Sequence, residues 1–227
     1  MNLKRERCFL YHASSMTLFS PLSSLYQTTR LFNLKSSTFF RNIRYIPHIF
    51  PQQILFRYGQ LHVSTLCKEN ISPIPAFGII GILQGGVYGH SNLYFSKRLG
   101  ITSNVKITDY FRGPVFAASR DIISQGVPFM LTEKVSETLF KENSEKYHYP
   151  VLFAISALTT SLSHPLHCMQ LFAQNNRNKS QLQIAIETCK TYKLTLFYKG
   201  IEARLVLLGL TNMFNDIFLK DVWLNVN

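Results

Sequence analysis

Residues 163–174, SHPLHCMQLFAQ, and residues 197–210, FYKGIEARLVLLGL, decide how this chain is read. The first stretch follows a run of small and apolar residues and contains a His-Pro step. The second opens another apolar run with an aromatic residue, a basic residue and a glycine. The same pair of signals stands twice upstream. HASSMTLFSPLSSLYQ (12–27) contains Pro21 and is followed by Phe40-Arg41-Asn42. AFGIIGILQGGVYGHSNLYFSKR (76–98) has Ser91 at the matching place and is followed by Phe111-Arg112-Gly113. The third aromatic-basic-small step is Tyr198-Lys199-Gly200. Recurrence of this kind marks an internal repeat. Each unit reads as helix, short connection, helix, which predicts one domain built from repeats 1–68, 69–146 and 147–227.

The segments opened by these steps, 43–61, 114–135 and 201–224, are too long for strands and match the roughly 20 residues of a membrane-crossing helix. Gly81, Gly85 and Gly89 fall on one helical face, as do Ala157 and Ser161, and such stripes let helix backbones approach closely. Gln84, Arg120, Asp121, Gln125, Arg204 and Asp216 interrupt the apolar runs, and polar groups at that depth face a bundle interior. Composition points the same way. Of 227 residues 46 % are hydrophobic and only 16 % charged, against about 25 % charged in ordinary soluble domains. The 18 Phe, 11 Tyr and the single Trp223 suit interfacial belts. The expected fold is therefore an all-α membrane protein, with six transmembrane helices in three helix-hairpin repeats. The N-terminus, MNLKRERCFLYHASSMTLF, reads either as an import signal or as part of the first helix, and the repeat pattern favours the helix.

The net charge of +12 suits an anionic partner. No zinc-finger spacing and no glycine-rich RNA-binding signature is present, so anionic lipid is expected and nucleic acid is not. Cys8, Cys67, Cys168 and Cys189 form no CxxC pair and read as free thiols.

Together these motifs resemble the mitochondrial carrier family, most closely in residues 150–223 and in YFRGPVFAASRDIISQGVPFMLTEK (110–134). The resemblance implies the mitochondrial carrier fold, with three-fold pseudosymmetry, and an inner mitochondrial membrane location. In that family each odd helix ends in Pro-x-acid-x-x-base, and the six charges close one mouth of the barrel. Here the acidic and basic places read Ser23 and Tyr26, Leu93 and Ser96, and His167 and Gln170. All three pairs have lost their charge. The opposite gate keeps an acid only at Glu133, with Gly59 and Lys220 at the equivalent places and Ser136 at the matching basic one. Alternating access needs gates that both close and open, and neutral side chains offer only hydrogen bonds or packing. The connections are short in the first two repeats, and only the third leaves room for a connecting helix.

By the same resemblance, Arg120-Asp121 occupies the mid-cavity substrate place, while Leu207 stands at the third-repeat contact. The rival reading is that these two charges satisfy each other or a neighbouring helix, and the loss of both gates favours it. Arg112, Gly113, Lys199 and Gly200 are the places where a carrier binds cardiolipin, so a bound phospholipid is expected but no cofactor. His164 and His167, three apart, lack a third ligand and read as interfacial histidines beside Pro165 rather than as a metal pair. No phosphate loop and no nucleophile-base motif is present, and no enzyme is expected. The functional expectation is a transport-inactive accessory subunit of a respiratory-chain complex, and the alternative is a divergent carrier of a small metabolite such as an amino acid.

Overall fold

The computed structural model describes residues 3–17, 20–70, 72–110 and 112–225. Phe111 of the second repeat step lies outside the described residues, as do the side chains of Gln84, Lys220 and Trp223. The helices are α1 (Leu3–Thr17), α2 (Ser20–Leu31), α3 (Ser36–Asn42), α4 (Phe50–Asn70), α5 (Pro73–Arg98) and α6 (Ile107–Tyr110). They continue with α7 (Pro114–Asp121), α8 (Val127–Phe140), α9 (Ser144–Asn175), α10 (Gln181–Tyr192) and α11 (Ile201–Asn225). No strand occurs among the described residues.

The long helices form a closed ring. α1 packs on α4, α4 on α5, α5 on α7, α8 on α9, α9 on α11, and α11 returns to α1 and α2. Short helices stand in the connections. α10 has 12 residues and begins with a capping box between Ser180 and Gln183, which satisfies two otherwise orphaned N–H groups. α3 has 7 residues and α6 only 4. The third connection thus holds the one connecting helix of appreciable length.

Two glycines of the repeat steps earn their place by conformation. Gly113 and Gly200 stand at φ +76° and +80°, a left-handed region that costs other L-residues about 1–2 kcal/mol. Asn42, at the same place in the first repeat, is right-handed with φ −95° and needs no glycine. Gly81 serves a close approach instead. A Cβ there would lie 2.7 Å from the Ala118 Cα and 2.9 Å from the Ala117 carbonyl oxygen of α7.

The expectation of six transmembrane helices is corrected. Among the described residues no helix is both long and apolar enough to cross a membrane. The segments taken as continuous apolar spans are interrupted. Pro47 confines Ile43–His48 to a 3-10 turn, and α4 then carries Gln52, Gln53, Arg57 and His62 within one segment. Residues 114–135 are divided by a π-helical segment, Ile122–Gly126. α9 has 32 residues, or about 48 Å at 1.5 Å per residue, but serines, threonines, histidines and glutamines line its inner face. The breaks expected at Ser91 and Pro165 are also absent, because α5 runs on to Arg98 and α9 to Asn175. Pro21 instead lies in the first turn of α2, where a missing N–H costs nothing.

Replacing Gly81 by Leu should lower stability by about 1–3 kcal/mol through backbone displacement at the α5–α7 contact. Replacing the exposed Gly59, around which a Cβ meets nothing within 4 Å, should not. Thermal unfolding of the two variants followed by circular dichroism compares them.

Candidate functional site

Beside its hydrophobic clusters the interior holds many polar side chains, and several apolar ones are exposed. On α9 the buried face carries Ser156, Thr160, Ser163, His164, His167 and Gln170, while Phe153, Leu158 and Leu162 are exposed. Buried polar groups need partners, and several here find them across helices. The Ser24 hydroxyl of α2 donates to Asn92 Oδ1 of α5 at 2.6 Å, and Asn92 Nδ2 donates to Gln174 Oε1 of α9 at 3.3 Å. Gln53 Nε2 of α4 donates to the Ser91 hydroxyl at 2.8 Å.

At the centre, Arg120 Nε sits 2.5 Å from Asp121 Oδ1, and both side chains are almost fully buried. Arg120 Nη1 donates to Gln170 Oε1 at 2.6 Å and faces His167 Nδ1 at 3.4 Å. One turn away, His164 Nε2 lies 3.0 Å from the Lys199 carbonyl oxygen. A carbonyl only accepts, so Nε2 carries the proton and Nδ1 presents a lone pair, which Arg204 Nη1 faces at 3.4 Å. Burial, reinforced by Arg204, pushes the His164 pKa down to about 4. Burial also lowers His167, with Arg204, Arg120 and His164 adding to it. Burial pushes the Cys168 thiol up to about 12 against the opposing pull of Arg204 and Lys199, which leaves it no thiolate for nucleophilic chemistry. The site is a neutral-imidazole, paired-charge cluster that holds protons in place.

The expected substrate pair, Arg120 and Asp121, does meet part of the expected gate. Ser23, Arg120, Asp121, His167, Arg204 and Leu207 line one crevice of about 30 Å³. That is room for a water molecule, far below the roughly 300 Å³ at which ligand pockets begin. Of the remaining gate positions, Gln170 accepts from Arg120 and the other three lie elsewhere. Tyr26 donates to Glu202 at 2.5 Å, and this bond raises its pKa. Leu93 and Ser96 are buried on α5. Of the other gate set, Ser136 donates to the carbonyl of Glu133 at 2.9 Å.

The lipid expectation also meets a different geometry. Arg112 donates to the carbonyls of Ala173, Arg177 and Lys179 at 3.0, 2.8 and 2.9 Å. It is spent on closing the C-terminal end of α9, where carbonyls lack partners. Lys199 lies 5.0 Å over the Tyr192 ring. Gly113 and Gly200 are explained by their backbone conformation. Nothing in this geometry supports cardiolipin, and the transmembrane carrier reading falls with the membrane spans.

The two histidines expected at an interface are instead buried. Among the described residues no group of three or more His, Cys, Asp and Glu is placed to hold a metal ion. Sequence reading also missed Asp109, which pairs with Arg177 at 2.5 Å, and Asn212. Pro128 cannot donate to the Ser124 carbonyl, the bond a regular helix would make there. Asn212 Nδ2 supplies it from α11 at 3.2 Å and also donates to the Ser156 hydroxyl at 2.8 Å. The Gly126-Val127-Pro128 step was the available signal. No protein-family model, curated protein or solved structure matches this chain.

Arg120→Met alone should cost about 3–5 kcal/mol, because Asp121 is left buried and unpaired, whereas Arg120→Met with Asp121→Leu should recover most of that loss. Urea denaturation of the three proteins gives the comparison. The histidines add a pH dependence. Unfolded His164 takes its proton near pH 6.5 and the folded residue only near 4, so the unfolded state binds more protons in between. Stability should be flat above about pH 7 and fall as the pH drops towards 4, by about 3 kcal/mol from this residue. The same titration on His164→Gln should be flatter.

Proposed function

We propose that this chain is a structural subunit of a larger protein assembly and moves no solute. The observation that carries the reading is the filled centre. Arg120 and Asp121 pair with each other at the expected substrate place, and Gln170 and His167 both face Arg120 Nη1. The crevice beside them, about 30 Å³, takes no amino acid. The hydrogen bonds from Ser24 to Asn92 and on to Gln174 tie three helices where a carrier would need separable charge pairs.

The exterior supplies the second half of the argument. Leu158 and Leu162 on α9, Val206 on α11 and Phe129 and Leu131 on α8 are exposed. Exposed apolar side chains gain when another apolar surface covers them. Neighbouring subunits are the proposed cover, and the basic surplus of the chain favours acidic ones. The expected place in a respiratory-chain complex depended on membrane spans that the described residues do not contain. The rival reading, a divergent carrier using Arg120 and Asp121, finds no support in so small a crevice.

Purification of the tagged full chain under mild conditions should recover partner proteins at fixed stoichiometry. Leu158→Glu with Leu162→Glu should release them while leaving the melting temperature within a few degrees, since both side chains are already exposed. Metabolite exchange by the purified protein in liposomes, lost on Arg120→Ala, would overturn the proposal.

A further inference from the structure

A groove of about 760 Å³ runs along the outer seam of α1 and α4. The two helices meet through Phe9, Ala13 and Leu61, but Pro47 and Pro51 interrupt the approach to α4. The 3-10 turn therefore stands off from α1 and leaves a channel. Its walls are Leu10, Ile46, Pro47, Phe50, Ile54 and Leu55. From Pro47 to Tyr58 the floor is about 16 Å long at helical rise. The volume lies within the 300–1,000 Å³ of ligand sites.

Polarity is confined to one end, where Glu6, Arg7 and Tyr58 stand. Glu6 is engaged: the Tyr58 hydroxyl donates to it, and His62 Nε2 lies 3.4 Å away. Arg7 is exposed and makes no ion pair or hydrogen bond among the described residues. The end of the groove thus offers one uncommitted guanidinium beside a carboxylate that already has its donors.

We propose that this groove binds a single-chain aliphatic carboxylate, its tail along Leu10, Phe50 and Ile54 and its head on Arg7. One planar guanidinium matches one planar carboxylate in a two-point fork. A phosphate dianion would call for more than one cation, and a two-chained lipid is larger than the space. The site shares no residue with the central cluster.

The test uses the purified full-length chain and displacement of a fluorescent fatty-acid probe by dodecanoate, dodecanol and dodecyltrimethylammonium. Dodecanoate should displace the probe saturably at one site per chain. Arg7→Gln should weaken dodecanoate about three- to fivefold, the worth of an exposed charge-assisted contact, and leave dodecanol unchanged. Leu55→Glu should weaken both. Arg7 and Leu55 are exposed, so neither change should disturb the fold, which circular dichroism checks. Absence of saturable displacement, equal or tighter binding of the cationic amphiphile, or dodecanoate affinity unaltered in both variants would overturn the assignment.

Discussion

The contact between Arg120 and Asp121 constrains everything around it. Two full charges withdrawn from water each cost several kcal/mol, and their attraction offsets this only when the remaining hydrogen-bonding capacity is met. The residues are adjacent on α7, where neighbouring side chains ordinarily diverge, yet they close to 2.5 Å. Gln170 must then present its carbonyl oxygen to Arg120. That fixes the face α9 turns inward, and with it His167 and His164. Those histidines stay neutral chiefly because they are buried, and a proton on either would also add a cation beside Arg204. The protonation pattern of the centre follows first from burial and then from the neighbouring guanidinium groups.

A second constraint starts from a missing proton. Pro128 leaves the Ser124 carbonyl unsatisfied just after the charged pair, and the helix answers with one π turn and a donor from elsewhere. Asn212 reaches across from α11 and binds Ser156 of α9 in the same gesture. A local defect in one helix thereby becomes a link among three. It lies next to Arg120 and Asp121, so the charged pair sits between a fixed π segment and a fixed α9. A centre held this way resists the helix rotations that opening would require.

Part of this was legible in the sequence. The aromatic-basic-glycine steps located the starts of α7 and α11, because a left-handed residue before a helix demands glycine. The adjacent Arg120 and Asp121 pointed to a polar interior, and their mutual pairing was one of the two readings open to them. The membrane spans were misread because apolar residues were counted in runs rather than by face. Ser156, Thr160, Ser163, His167, Gln170 and Gln174 recur at helical spacing, and such a polar stripe sets aside one side of α9 for other polar groups. Arg112 was misassigned for a related reason. A cation beside a glycine step looks like an anion site until the chain end it caps, 61 residues away at Ala173, is in view. Asp109 and Arg177 join α6 to the end of α9 in the same region, and separation along the chain hides both contacts from any local pattern.

The distribution of polarity supports the proposed structural role. A chain that buries serines, glutamines and arginines while exposing leucines and phenylalanines gains less from excluding water at its own centre than an ordinary domain does. Its interior is specified by hydrogen bonds, which stabilise modestly on balance but penalise mispairing heavily. Such a core favours one arrangement over its alternatives more than it deepens the native state. The apolar surface remains available, and burying it against another apolar surface releases free energy the isolated chain has not yet realised. Rigidity inside and stickiness outside are the properties of a part that is placed and held.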